Sequence, residues 1–322
     1  MKKLLAIVLT LGVVMLTALG CAANKESATI RVGALKGPTA IGLMKLMDDA
    51  SNGACDNEYT FEIAAAADEL LPKIISGDLD VALVPANVAA VLYNKTEGGI
   101  QVLDINTLGV LYAVSGNSDI TSVSDLKGQT IYLTGKGTTP DYVLQYLLNA
   151  NGLSLADVTL EYKSEATEVA AMLKEDSSKV GILPQPFVTA ACIQNEELLP
   201  VIDLTAEWDK ACEATGSRLV TGVTIATKDF INAHEGAIKG FMAEHKASAE
   251  FTKANLDETA ALVVANGIIE KEPVAKKAIP NCNITYIDGD EMEKALSGYL
   301  GALYELDPTT VGGTLPNEDF YY

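Results

Sequence analysis

The feature that most constrains this chain is a regular alternation of short, β-branched runs and amphipathic helical stretches, which begins at Thr29. Each run ends in a turn of glycine, proline or other small residues, and a helical pattern follows, as in "TIRVGALKGPTA" and "DVALVPANVAA". Strands that alternate with helices form mostly parallel sheets that are flanked by helices. The sequence therefore predicts an α/β protein.

The alternation breaks once and then restarts, which predicts two lobes. "GIQVLDINTLGVLYAVSG" contains two strand-like runs with no helix between them, and "SVSDLKGQTIYLTG" begins the rhythm again. A later strand-like run, "RLVTGVTIATKDF", would return the chain to the first lobe. We expect lobe 1 to comprise residues 29–110 and 220–322 and lobe 2 to comprise residues 111–219. Crossings near 106–114 and 218–226 would form a two-strand hinge.

The N-terminus has the layout of a secretory leader. Two lysines precede an uncharged, mostly apolar run at residues 4–19, which is shorter than the roughly 20 residues of a membrane-spanning helix. The small residue before Cys21 is typical of bacterial lipoprotein leaders, in which the cysteine becomes the new N-terminus and carries the lipid. We predict a signal peptide over residues 1–20 and a lipid-anchored tether over residues 21–28. An ordinary cleaved signal or an uncleaved anchor helix is the alternative.

The charge of the chain excludes several classes of partner. The 43 acidic residues outnumber the 23 basic ones, which argues against nucleic acid and against electrostatic docking on anionic lipid. The sequence has only two arginines, Arg31 and Arg218, few for a site built on bidentate phosphate clamps. The glycine turn around Lys136 is too short for a nucleotide-binding P-loop. We therefore expect a ligand that is not a nucleotide.

Histidine is too scarce for the common catalytic arrangements. His234 and His245 would lie about 16 Å apart along one helix, too far for a single metal ion, and we expect them on a solvated surface. Without another histidine, neither a Ser-His-Asp nor a Cys-His nucleophile can be built in the candidate cleft. We expect no cofactor, no metal ion and no enzymatic activity.

The cysteines and the single tryptophan carry no recognisable chemistry. The spacings of Cys55, Cys192, Cys212 and Cys282 match no zinc pattern. We favour four free thiols, with a Cys192–Cys212 bridge as the alternative. We expect Trp208 to pack at the surface of a lobe rather than to stack on a ligand.

Candidate ligand-binding groups lie in the turns that follow strands. Two Lys-Gly-x-Thr turns, at residues 36–39 and 136–139, each open a helical pattern. Free N–H groups at helix N-termini bind anions, and the threonine hydroxyls could bond a ligand or cap the helix. Asp68 and Asn87 would cap the helices after two other strands, and Asn87 would also turn an amide toward the cleft. Pro72 would lie in the first turn of the helix that Asp68 caps, and Gln185 stands between two prolines. Ordinary strand-to-helix turns with capping side chains remain the alternative at each position.

From about Thr29 to Tyr322 the chain resembles bacterial ABC-transporter solute-binding lipoproteins of the nitrate/sulfonate/bicarbonate type, which are related to thiamine-precursor-binding proteins. The stretches "GDLDVALVP" and "DLKGQTIY" are the most specific, and "IRVGALKGPTAIGL", "ILPQPF" and "TGVTIATKDFINAHEGAIKGFM" add to them. The resemblance implies a two-lobed periplasmic-binding-protein-like fold of type II. Each lobe would be a mostly parallel sheet flanked by helices, and a two-strand hinge would join the lobes.

The same resemblance implies the extracytoplasmic solute-binding component of an ABC importer. The protein would be a monomer, anchored to the outer face of the cell membrane by lipid, including palmitate, on Cys21. Its partners would be a permease, a cytoplasmic ATPase and a small polar solute, with an anion as one candidate. An enzyme of pyrimidine- or menaquinone-type metabolism on the same fold, and an extracellular ligand sensor, are the alternatives. The family's ligand contacts correspond to Gly37, Pro38, Thr39, Ala67, Asp68, Ala86, Asn87, Gly137, Thr138, Thr139 and Gln185.

Overall fold

The structure is a computed structural model that describes residues 27–322. The predicted signal peptide, the lipid anchor at Cys21 and residues 22–26 of the tether lie outside the described residues. Eleven strands in the described chain form two separate sheets. They are β1 (Thr29–Leu35), β2 (Glu58–Ala64), β3 (Val81–Pro85), β4 (Ile100–Leu108), β5 (Leu111–Ser115), β6 (Thr130–Thr134), β7 (Thr159–Lys163), β8 (Val180–Pro184), β9 (Leu199–Asp203), β10 (Val220–Thr227) and β11 (Ile284–Ile287).

The six-stranded sheet has the order β11–β4–β10–β3–β1–β2, and the five-stranded sheet has the order β7–β6–β8–β5–β9. In the first sheet β1 to β4 run in one direction, while β10 and β11 run in the other. In the second sheet only β5 opposes the other four strands. Most strands of each sheet are therefore parallel, which confirms the predicted fold class.

Helices cover both faces of each sheet. Residues 27–322 form thirteen α-helices: α1 (Pro38–Ile41), α2 (Met44–Ser51), α3 (Ala67–Ser76), α4 (Ala86–Lys95), α5 (Thr139–Ala150), α6 (Ala166–Glu175), α7 (Phe187–Gln194), α8 (Leu204–Ala211), α9 (Lys228–Ala233), α10 (Glu235–Ala254), α11 (Leu256–Ala265), α12 (Glu272–Ala278) and α13 (Gly289–Leu306). Within the described chain, no helix is both long enough and apolar enough to span a bilayer.

One apolar cluster joins the two sheets. It combines side chains from β3, β4 and β10 of the first sheet with side chains from β5, β6 and β8 of the second. The other faces of the two sheets are covered by separate clusters, one under α10 and α11 and the other under α6 and α7. The two sheets therefore share part of their core.

Trp208 is part of this shared core, so its prediction as a lobe-surface residue was wrong. The indole is fully buried, and its ring centroid lies 4.4 Å from that of Tyr146 and 5.4 Å from that of Tyr299. Its N–H donates to Ser217 Oγ at 3.2 Å, which satisfies the polar atom that burial removes from water. Because α13 packs over α8, the residue is enclosed by chain segments that are distant in sequence.

His245 is also fully buried, which corrects its prediction as a solvated residue. It lies on the apolar face of α10, in line with Phe241 and Ala249. Its Nδ1 atom is 3.2 Å from Asp104 Oδ2 on β4, and Thr224 on β10 donates to the other oxygen of that carboxylate at 2.9 Å. The helical spacing of the apolar residues around His245 indicated this face, but polar neighbours in the sequence obscured it.

Candidate functional site

The predicted turns all follow strands, so each turn lies at the carboxyl end of its strand. The first Lys-Gly-x-Thr turn follows β1 and the second follows β6, while Ala86 and Gln185 follow β3 and β8. Ligands of open α/β sheets bind at the carboxyl ends of their strands. These turns therefore stay the predicted positions of ligand contacts.

Two of the predicted residues, on helices that follow strands of different sheets, are in contact. Thr139, the first residue of α5, donates a hydrogen bond from Oγ1 to Oδ1 of Asn87 at 3.3 Å. Asn87 was predicted to cap α4, but α4 begins at Ala86 after Pro85, and Asn87 lies inside its first turn. The predicted capping role is therefore wrong, and the amide oxygen instead accepts from a helix that follows a strand of the other sheet.

The first Lys-Gly-x-Thr turn is held by its own strand. Gly37 has φ 136°, a conformation that L side chains rarely adopt, and Pro38 opens α1. Thr39 Oγ1 donates to the carbonyl of Leu35 at 3.0 Å. A Cβ atom at Gly222 of β10 would lie 2.5 Å from the Thr39 methyl carbon, so the two residues are in close contact. Thr39 is thus a buried packing residue whose hydroxyl already donates within lobe 1.

The second Lys-Gly-x-Thr turn is organised by a carboxylate that the sequence reading missed. Asp141, the third residue of α5, is only 3% exposed. Its Oδ2 accepts from the Gly137 N–H at 2.8 Å, and its Oδ1 accepts from Gln145 Nε2 at 2.8 Å and from the Tyr162 hydroxyl at 2.9 Å. Burial, together with the hydrogen bond to this carboxylate, raises the pKa of Tyr162. An acidic residue in the first turn of a helix was the signal that could have revealed it.

Thr138 in the same turn does not cap α5 with its side chain. It occupies the N-cap position, and its hydroxyl donates to the carbonyl of Gly135 at 2.6 Å. Lys136 is exposed, and its Nζ atom lies 5.5 Å from the ring centroid of Tyr162. The turn therefore presents an exposed threonine and an exposed ammonium beside a buried carboxylate.

The start of α3 differs from its prediction as well. The N-cap is Ala66, not Asp68, because α3 begins at Ala67. Glu69 supplies the capping interaction, since its Oε1 accepts from the Ala66 N–H at 3.0 Å. Asp68 is exposed in the first turn, and Pro72, expected in that turn, lies in the helix interior.

Gln185 is buried beside the connection between the two sheets. Its N–H donates to the carbonyl of Val110 at 2.9 Å, and its Oε1 accepts from the hydroxyl of Thr189 at 2.8 Å. It lines a cavity of about 540 Å³ together with Lys277 and Asn281 from the part of the chain that follows β10. None of the other predicted ligand residues lines this cavity.

Both arginine side chains are paired with aspartates. The Arg31 Nε donates to Asp80 Oδ2 at 2.9 Å, and Arg218 Nε lies 3.4 Å from Asp209 Oδ1.

All four cysteines of the described chain are free thiols, as predicted. Among residues 27–322, no group of three or more His, Cys, Asp or Glu side chains could hold a metal ion.

Comparisons with known proteins agree with this architecture. The family model described as NMT1/THI5 like matches residues 98–259, whereas no curated protein matches the sequence. The crystal structure of an ABC transporter from Parabacteroides distasonis is 25% identical, with a TM-score of 0.77 over 91% of this chain and 98% of that one. The periplasmic aliphatic sulphonate binding protein SsuA from Escherichia coli is 17% identical, with a TM-score of 0.72 over 91% of this chain and 92% of that one.

A third solved structure supports the fold alone. A Candida albicans gene product with the generic periplasmic binding protein fold is 16% identical, with a TM-score of 0.57 over 91% of this chain and 92% of that one. The chain therefore has the periplasmic-binding-protein fold that its sequence predicted.

Proposed function

Because this chain belongs to the NMT1/THI5-like family, we propose that it is the solute-binding component of an ABC importer. The protein captures a small polar solute in the cleft between its two lobes and delivers it to a permease, which a cytoplasmic ATPase drives. Lipid on Cys21 holds it, as a monomer, at the outer face of the cell membrane. The predicted ligand-binding residues at the ends of β1, β2, β3, β6 and β8 belong to this proposal.

The observation that carries the proposal is the contact between Asn87 and Thr139. These residues lie at the starts of two helices that follow strands of different sheets, and a hydrogen bond of 3.3 Å links them. A solute bound at this edge would touch both lobes at once. Binding would then stabilise the closed arrangement, which is the signal that a permease needs.

The connection between the sheets supports hinge closure. Only two residues, Gly109 and Val110, separate β4 of the first sheet from β5 of the second. Such short connections let two rigid bodies rotate while each keeps its own sheet. No particular contact in the described chain favours the enzyme or the sensor over the transporter component.

Thermal unfolding of the mature chain against a solute panel tests the proposal. The panel contains nitrate, bicarbonate, aliphatic sulfonates, and uncharged pyrimidines and thiazoles. A ligand present at 100 times its Kd adds about 2.7 kcal/mol to the free energy of unfolding. The midpoint should therefore rise by several degrees with one class of solute.

A pair of variants locates the site. Thr138→Phe places a ring on an exposed residue of the cleft and should abolish the solute-induced shift. Ser178→Phe places the same ring on an exposed residue at the amino end of β8, at the opposite edge of lobe 2, and should leave the shift unchanged. An unaltered shift in Thr138→Phe would show that the solute binds elsewhere.

A further inference from the structure

A carboxylate of the protein itself occupies the start of α5. The N–H of Gly137, which the sequence predicted as a donor to the ligand, donates to Asp141 at 2.8 Å. The second oxygen of Asp141 accepts from Tyr162 and Gln145. A helix N-terminus attracts anions because its N–H groups are free and its dipole is positive there. In this protein the carboxylate of Asp141 already accepts from one of these N–H groups.

The start of α3 shows the same arrangement on the other lobe. Glu69 accepts from the Ala66 N–H at 3.0 Å, and Asp68 lies beside it in the first turn. Two of the helix starts that were predicted to hold the ligand therefore carry acidic side chains. These side chains belong to helices that follow strands of different sheets.

The cations beside the two Lys-Gly-x-Thr turns and the two arginines do not reverse this field, whereas Lys277 lines the separate cavity of Gln185 together with Glu196. Both arginines of the sequence are paired with aspartates, Arg31 with Asp80 and Arg218 with Asp209. Lys136 is exposed, so water and salt screen its charge, and its Nζ lies 5.5 Å from the ring centroid of Tyr162. Lys36, in the first turn, is exposed to solvent, where water and salt screen its charge.

These contacts determine which solutes the cleft can accept. An anion at the start of α5 would lie beside Asp141, and two like charges repel strongly where burial lowers the dielectric constant. We infer that Asp141 sets the charge preference of the cleft, which takes an uncharged or cationic solute and excludes anions such as sulfonates and nitrate. This inference rests on the proposed function, because it presupposes that the cleft binds a solute.

The substitution Asp141→Asn tests the inference directly. It removes the charge, keeps the size, and retains an oxygen that can accept from the Gly137 N–H. The affinities of the mature chain for nitrate and ethanesulfonate are measured by calorimetry at constant ionic strength, beside the uncharged isostere ethanesulfonamide. The wild-type protein should show no saturable binding of either anion. The variant should gain saturable binding of at least one anion, with a Kd about tenfold or more below the highest concentration at which the wild-type protein shows none.

Two control variants separate charge from shape. Asp176→Asn removes the same charge from an exposed loop at the amino end of β8 and should leave anion affinity unchanged. Tyr162→Phe removes one hydrogen bond to Asp141 but keeps the carboxylate, so this variant should still exclude anions. Circular dichroism and thermal unfolding establish that each variant is folded.

Each outcome decides the inference. Saturable binding of nitrate or ethanesulfonate by the wild-type protein would overturn it, whether or not any variant folds. An Asp141→Asn protein that folds but gains no anion affinity would show that another group excludes anions. Failure of the proposed function looks different, because a thermal panel extended with choline as a cationic solute would then leave the wild-type protein unstabilised by every solute, the uncharged pyrimidines and thiazoles included.

Discussion

At the scale of single residues, burial controls how readily the cysteine thiols ionise. Cys282 is fully buried, and burial raises the pKa of its thiol to about 12. Burial also raises the pKa of Cys55 to about 11, with a further contribution from the carboxylate of Glu244. The thiolate is the reactive form of cysteine, so neither residue has the environment of a nucleophile.

We predict a steep pH dependence for the alkylation of Cys55. Because its pKa is raised, only about one thiol in a thousand is ionised at pH 8, and each further pH unit should increase the rate about tenfold until the pH approaches the pKa. Iodoacetamide labelling followed by mass spectrometry measures the rate, and a Cys55→Ser variant identifies the labelled site. A rate that levels off below pH 9 would contradict the raised pKa.

At the scale of elements, two glycines have opposite surroundings. Gly109 lies in the connection between β4 and β5, where a Cβ atom would be 2.1 Å from Thr205 Oγ1 and 2.6 Å from a methyl carbon of Leu219. Gly301 lies within α13, and a Cβ atom there would meet nothing within 4 Å. The same substitution should therefore have opposite effects at the two positions.

We expect Gly301→Ala to raise the free energy of unfolding by about 0.5–1 kcal/mol, because alanine loses less conformational entropy in a helix. Gly109→Ala should lower it by about 1–3 kcal/mol, because the added methyl group overpacks the connection. Urea unfolding of both variants measures the two changes. An unchanged free energy of unfolding in Gly109→Ala would mean that the backbone of the connection shifts to make room for the methyl group.

At the scale of the whole molecule, the shared core should couple the two lobes during unfolding. Tyr299 of α13 is fully buried against Trp208 of α8, and these residues come from opposite sides of the predicted boundary at residues 219 and 220. The Tyr299 hydroxyl makes no hydrogen bond of normal geometry, although Thr139 lies near it, and burial raises its pKa. The Tyr299 ring therefore stabilises the folded protein by packing, while its hydroxyl adds little to the free energy of unfolding.

We therefore predict that tryptophan fluorescence and circular dichroism report one common thermal transition. Tyr299→Ala should lower the free energy of unfolding by about 3–5 kcal/mol, because it leaves a large cavity between the lobes. Tyr299→Phe should leave it unchanged or slightly higher, since it removes a buried hydroxyl that makes no hydrogen bond. Two separate transitions in the wild-type protein would show that the lobes unfold independently.

The local sequence determined the secondary structure and the fold class. The sequence pattern predicts a helix over each of the ranges 139–150, 256–265 and 272–278, and the structure has helices with those bounds. Hydrophobic periodicity and turn residues act over a few positions, so the sequence alone reveals them. The same pattern predicted turns at the carboxyl ends of the strands, and the structure has a turn or the start of a helix at each of these positions.

Only the tertiary structure decided which side chains meet. Asn87 and Thr139 are 52 residues apart, and Asp104 and His245 are 141 residues apart. Trp208 is buried against Tyr299 of α13 and His245 against Asp104 of β4, both of which are distant in sequence, so local patterns placed both residues wrongly. Asp141 lies only four residues from Gly137, yet its role depends on Tyr162 from the neighbouring strand. Periodicity is a property of neighbours in sequence, whereas a binding site depends on contacts between segments that folding brings together.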